Sequence, residues 1–238
     1  MGTGERGFFS SGRGIRPIDK DSARREREPL ERITGWFRSH RRAVTAVAAG
    51  VAVIVLGGWF FITAKQRREA FAQRTLDDAR IALQAGNIAL AASDLSRLIA
   101  SYGGTLAADE ATVLLAQARL AQQEPGQAVA ELREALERGV SEQFLAPING
   151  LLGAALEELG SHAEAASAYL EAARTSWYSR VSAQYLLDAG RAFATAGDTV
   201  QALAAYRRVI TEHEESPGVL EARVRLAELG AVQSTQGS

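Results

Sequence analysis

Three histidines and a scatter of carboxylates are the side chains here that could ligate a metal or move a proton. His213 lies in the run TEHEESP beside Glu212, Glu214 and Glu215, and an imidazole among carboxylates would suit a zinc ion or general acid–base work. The spacing argues against both, because adjacent residues on a helix point in different directions and do not converge on one ion. His40 and His162 stand alone, and neither a Ser/His/Asp arrangement nor an HExxH run is visible. GRG at 12–14 is not a phosphate loop, since it lacks the preceding strand and the remaining glycine or Gly-Lys-Ser/Thr positions. The chain has no cysteine, which removes disulfides, thiolate metal sites, a thiol nucleophile and a lipidated N-terminal cysteine. The expectation is a non-enzyme with no catalytic residue, no metal and no cofactor.

Charge is unevenly spread. Residues 1–42 carry 11 Arg/Lys against 6 Asp/Glu, a net +5, and the remaining 16 and 22 leave −6 for the rest. The basic residues of that acidic part do not cluster, so nucleic acid is not an expected partner.

Between Arg42 and Lys65 runs AVTAVAAGVAVIVLGGWFFITA, 22 residues without a charge. At the rise of a helix this stretch spans about 33 Å, enough to cross a bilayer once. Trp36, Phe37 and Trp59-Phe60-Phe61 stand where an aromatic belt would meet the headgroups. A cleaved signal would need a short charged start and a small-x-small site, whereas 42 residues come first and Ile62 holds the −3 position before Ala64. Within 20 residues of the span, seven Arg/Lys precede it and five follow, a bias that puts the amino terminus in the cytoplasm. Ala46, Gly50 and Gly57 fall near one side of the span, where small residues would let another helix approach.

The predicted layout is a basic cytoplasmic tail at 1–42, a transmembrane helix at 43–64, a repeat domain at 65–230 and a loose tail at 231–238. Residues 1–29 show no helical or strand period and read as disordered. The stretch at 30–42 places Leu30, Ile33 and Phe37 on one helical face, with arginines for anionic headgroups.

The repeat is explicit. GDTVQALAAY at 197–206 recurs in outline as GSHAEAASAY at 160–169, QEPGQAVAEL at 123–132 and GNIALAASDL at 86–95, always 37 residues apart. Ala91, Ala128, Ala165 and Ala202 precede by four Leu95, Leu132, Tyr169 and Tyr206, and by seven Leu98, Ala135, Ala172 and Val209, the spacing of an amphipathic helix. In the preceding helix of each unit Ala79, Ala116, Gly153 and Gly190 align. A glycine there costs about 1 kcal/mol relative to alanine, which close crossing of paired helices would offset. After the fourth unit, Ser216-Pro217 reads as a cap and first helical residue, followed by a closing helix with Leu220, Val224 and Ala227 on one face before Gly230.

Leu186, Gly190, Phe193, Gly197, Ala202 and Tyr206, with Leu152, Gly153, Leu156, Gly160, Ala165 and Tyr169 one unit earlier, resemble the tetratricopeptide repeat, a helical hairpin whose usual length is about 34 residues. The first two units match less well, with Asp78 and Arg119 at apolar family positions. The resemblance implies an all-α chain: one transmembrane helix, then an α-solenoid of four hairpins and a capping helix. It also implies a concave face lined by the first helix of each unit, on which proteins or peptides dock. The columns there hold Gln73, Leu76, Arg80, Leu83, Val113, Gln117, Leu120, Gly150, Ala154, Glu157, Gln184, Leu187 and Arg191. Gln73, Arg80, Gln117, Glu157, Gln184 and Arg191 are the candidate partner-binding residues; solvation of a helix face is the alternative. Chaperone-clamping relatives use lysine, asparagine and arginine in that groove, a set absent here apart from Arg80 and Arg191. Trp177 and Tyr178, between the third and fourth units, are either inter-repeat packing or a partner hot spot, with packing the default.

The whole-chain layout resembles the ancillary Sec translocon subunit family of Gram-negative bacteria. That implies an inner-membrane protein with a periplasmic repeat domain, associated with the Sec translocon and a membrane-bound periplasmic isomerase or chaperone. The segment at 206–229 is also similar to repeats of periplasmic proteins that coordinate envelope constriction and outer-membrane assembly. A third alternative is an adaptor with its repeats facing the cytoplasm.

Overall fold

The computed structural model describes residues 41–236; the expectations for the tail and lipid-facing stretch within 1–40, and for the last two residues, lie outside them. The chain divides into two compact units, Met1–Ile62 and Thr63–Ser238.

In the first unit the described element is the beginning of helix α1 (Arg41–Gln84), which is long and apolar enough to cross a membrane. Ala46, Gly50 and Gly57 are exposed. A Cβ added at Gly50 or Gly57 would meet nothing within 4 Å, so this small-residue face is open.

In the second unit, the remainder of α1 is followed by α2 (Ile88–Tyr102), α3 (Leu106–Ala121), α4 (Pro125–Arg138), α5 (Glu142–Glu158), α6 (His162–Thr175), α7 (Ser179–Thr195), α8 (Thr199–Glu212) and α9 (Gly218–Gln236). No strand occurs among the described residues. The hairpins α1/α2, whose Leu76 and Ala79 share a buried cluster with Leu95 and Leu98, α3/α4, α5/α6 and α7/α8 are the four units, and α9 closes the array against α7 and α8.

Local chemistry sets the helix ends. The side chains of Asn87, Thr105 and Asp198 accept hydrogen bonds from the N–H groups of Leu90, Ala108 and Gln201, and Pro125 starts α4. These contacts satisfy donors that a helix start leaves without a partner. One column turns every hairpin: Gly86, Gly160 and Gly197 sit at φ of 77°, 75° and 83°, and Gln123 is forced into the same region at 61°.

Two carboxylates act across units. Glu69 on α1 accepts from the N–H groups of Leu106 (3.0 Å) and Ala107 (2.9 Å), at the start of α3. Asp109 on α3 is 2% exposed and accepts from the Ser141 N–H (3.0 Å) and hydroxyl (2.7 Å), just ahead of α5.

The repeating columns form the core. Ala91, Ala128, Ala165 and Ala202 are fully buried, and the positions four and seven residues later are buried with them. The glycines of the aligned column do permit close crossing: a Cβ on Gly153 or Gly190 would stand 2.6 Å from Cε1 of Tyr169 or Tyr206 respectively. Where that column holds alanine instead, at Ala79 and Ala116, the facing column holds Leu95 and Leu132, so a smaller side chain accompanies the larger small residue.

Three expectations need correction. Leu76 and Gly150 are buried in the core and do not line an open groove, and Leu187, 2% exposed, bounds a local cleft near the closing helix. The closing helix packs through Val219, Ala222, Leu226 and Leu229, while Leu220, Val224 and Ala227 face outward. Two apolar stripes exist on α9, and periodicity alone could not tell which one meets α7 and α8. That helix also begins one residue after Pro217, with the Ser216 hydroxyl accepting from the Gly218 N–H at 3.3 Å, and it runs through Gly230 to Gln236.

Candidate functional site

The site is built around Ser176-Trp177-Tyr178, which joins α6 to α7. Packing does not hide these aromatics: Trp177 is 67% exposed and Tyr178 70%. The backbone that carries them is nonetheless held, because the buried Ser182 hydroxyl on the first turn of α7 donates to the Ala173 carbonyl at 2.8 Å. The Ser176 hydroxyl donates to the Tyr178 carbonyl and accepts from the Tyr178 N–H. A large aromatic surface on a fixed backbone has little conformational freedom to lose on binding.

Two clefts adjoin this corner. The first, about 410 Å³, is walled by Phe144 and Pro147 of α5, by Trp177 and Tyr178, and by Val181 and Tyr185 of α7. The second, about 470 Å³, lies across Val181 and Tyr185 and is bounded by Arg180, Gln184 and Leu187 with Pro217 and Gly218. Tyr185 forms the shared ridge because its ring is laid over Gly150: a Cβ there would be 2.5 Å from Tyr185 Cε1. Burial pushes the Tyr185 phenol above its usual range, so it meets a ligand as a neutral group.

Beside the second cleft lies a polar network. The Tyr169 hydroxyl donates to Glu157 at 2.7 Å, and Asp188 accepts from Gln184 at 3.2 Å and Arg191 at 2.7 Å. Burial, reinforced by the Glu157 carboxylate, drives the Tyr169 phenol far above its ordinary range. Burial also raises the Asp188 carboxyl, against the opposing pull of Arg191 and Gln184.

Three of the six predicted groove residues, Glu157, Gln184 and Arg191, are therefore tied into contacts within the third and fourth units. Arg80 lies elsewhere, paired with Asp77 on its own helix and Glu110 on α3. Gln73 is half-buried and Gln117 exposed. Arg119, at an apolar family position, is half-buried between Glu124 and Glu131. Sequence reading missed the Ser179 hydroxyl, which lies 2.8 Å from His213 Nδ1, because 34 residues separate the two. It also missed Asp109 and the two clefts. The 34-residue offset is close to the repeat period and was the available signal for the Ser179–His213 pair. No group of metal-ligating side chains occurs among the described residues.

Stacked helical hairpins with an exposed aromatic corner define a repeat scaffold, a class whose members are generally non-enzymatic and bind proteins. The chain belongs to the tetratricopeptide repeat-like domain family, whose model matches residues 34–231. Among solved structures it is similar to MamA, at 16% identity and TM-score 0.53 over 66% of this chain and 84% of that one. It is also similar to pilF of Pseudomonas aeruginosa, at 20% identity and TM-score 0.52 over 71% of each chain. At these identities the likeness concerns the fold alone. No curated protein matches the chain significantly.

Proposed function

We propose that this protein is a single-pass inner-membrane scaffold whose repeat domain lies in the periplasm and holds polypeptides near the Sec translocon, together with a membrane-bound periplasmic isomerase or chaperone. The observation that carries the binding role is the exposure of Trp177 and Tyr178 on a backbone fixed by Ser176 and Ser182. Exposed aromatics on a rigid support are the usual centre of a protein-binding hot spot. Residues 43–64 support the anchor, and the excess of arginine before them supports a cytoplasmic amino terminus. Within the domain, Gln73, Arg80, Gln117, Glu157, Gln184 and Arg191 are proposed to contribute to partner contacts, and Ala46, Gly50 and Gly57 to helix packing in the membrane.

Two experiments test this proposal. A topology reporter fused after Gly230 should give a periplasmic signal; a cytoplasmic signal would replace the proposal with a cytosol-facing adaptor. Affinity purification of the detergent-solubilised protein should recover translocon and periplasmic folding factors. Recovery of outer-membrane assembly or cell-division proteins instead would favour a role in envelope construction, to which the segment at 206–229 is similar.

A further inference from the structure

The walls of the twin clefts are uneven in charge, with Asp188 set behind Gln184. Neither is lined by an acidic residue, although the chain after residue 42 is net −6. The charged group on their walls is Arg180, which enters no ion pair or side-chain hydrogen bond among the described residues. Other arginines of the third and fourth units are engaged: Arg174 pairs with Glu171, Arg191 with Asp188 and Arg208 with Glu212. An unpaired guanidinium at the mouth of an apolar cleft favours a carboxylate, which it can hold through two parallel N–H donors.

The shape adds to this. Two clefts that share Val181 and Tyr185 offer separate seats for two large side chains of one extended chain, whose alternate residues project to the same side. Each cleft also has a glutamine on its wall: Gln143 in the first, and in the second Gln184, whose amide nitrogen is on Asp188 while its oxygen can accept from a backbone N–H of such a chain.

Resting on the scaffold reading above, we propose that the clefts take an extended apolar polypeptide segment carrying a carboxylate, with large side chains seated on either side of Tyr185 and the acidic group held by Arg180. An unfolded secreted chain would present such segments before its core closes.

The full-length protein in detergent, with Trp36→Phe and Trp59→Phe, retains Trp177 as its one tryptophan and so reports directly on the first cleft. The probes are three synthetic peptides of alternating leucine and serine that differ at one central position: glutamate, glutamine or lysine. The glutamate peptide should shift Trp177 emission and bind about fivefold more tightly than the glutamine peptide, an advantage that fades in concentrated salt. Arg180→Glu should invert the order so that the lysine peptide binds best, with the far-ultraviolet circular dichroism unchanged. Tyr178→Ala should weaken all three peptides by about tenfold. Equal binding of the three peptides, or an order that Arg180→Glu leaves unaltered, overturns the carboxylate preference while leaving a peptide-binding scaffold. Absence of binding by any peptide overturns the preference and removes the scaffold reading from this cleft as well.

Discussion

The ring of Tyr206 occupies the space that a side chain at Gly190 would need, since a Cβ built there would lie 2.6 Å from Tyr206 Cε1 and 2.7 Å from Cζ. Even Gly190→Ala should therefore push α7 and α8 apart, lowering stability by about 1–3 kcal/mol despite alanine's better helix propensity. Adding Tyr206→Leu should recover much of the loss, because Ala79 with Leu95 and Ala116 with Leu132 already use that combination. Thermal melts of the two variants test this; a Gly190→Ala protein as stable as the parent would contradict the steric account.

Gln123 stands in the turn column where the other three units have glycine, at φ of 61°. A residue with a Cβ pays roughly 1 kcal/mol or more in this region, so Gln123→Gly should raise the unfolding free energy by about that amount. Chemical denaturation would detect it as a higher midpoint with an unchanged slope.

Asp109 holds both polar groups of Ser141 that lie ahead of α5. Asp109→Ala would leave the Ser141 N–H without its acceptor, at a cost of about 1–3 kcal/mol, and Asp109→Asn should recover part of it through the remaining carbonyl oxygen. Hydrogen exchange should place the new opening at the Ser141 amide and the first turn of α5.

Asp188 gives the domain a pH dependence of a particular sign. Burial raises its folded-state pKa, so between the unfolded value and the raised one the native state binds more protons. The contribution of this group is thus present at low pH and is lost as pH rises through the raised value. The stability difference between Asp188→Asn and the parent should shift in favour of the variant from pH 4 to pH 7. Denaturation curves at the two pH values check this, and a shift in the opposite direction would show that Arg191 and Gln184 outweigh burial.

Much of the fold could be read from sequence because a repeat reports each core position four times. The alanine column at 91, 128, 165 and 202, and the glycines facing Tyr169 and Tyr206, lie in the core as their alignment indicates. One repeated column was misplaced, since Leu76, Gly150 and Leu187, 37 residues apart in series with Val113, turned inward, and further failures came where only one copy exists. The closing helix carries an outward stripe at Leu220 and Val224 as regular as its inward one at Val219 and Ala222, and only tertiary packing chooses between them. Trp177 and Tyr178 have no counterparts in the other units, so their exposure had no pattern to reveal it. The clefts were invisible because their walls come from α5, α7 and the segment before α9, which periodicity treats as separate rows.

The reach of Glu69 and Asp109 gives the joints between hairpins a polarity. Each carboxylate belongs to an earlier hairpin and completes the start of a later one, at residues 106–107 and 141. During synthesis from the amino terminus, the acceptor is in place before the amide it must capture emerges. Successive hairpins can then latch onto a seated predecessor as the chain is made.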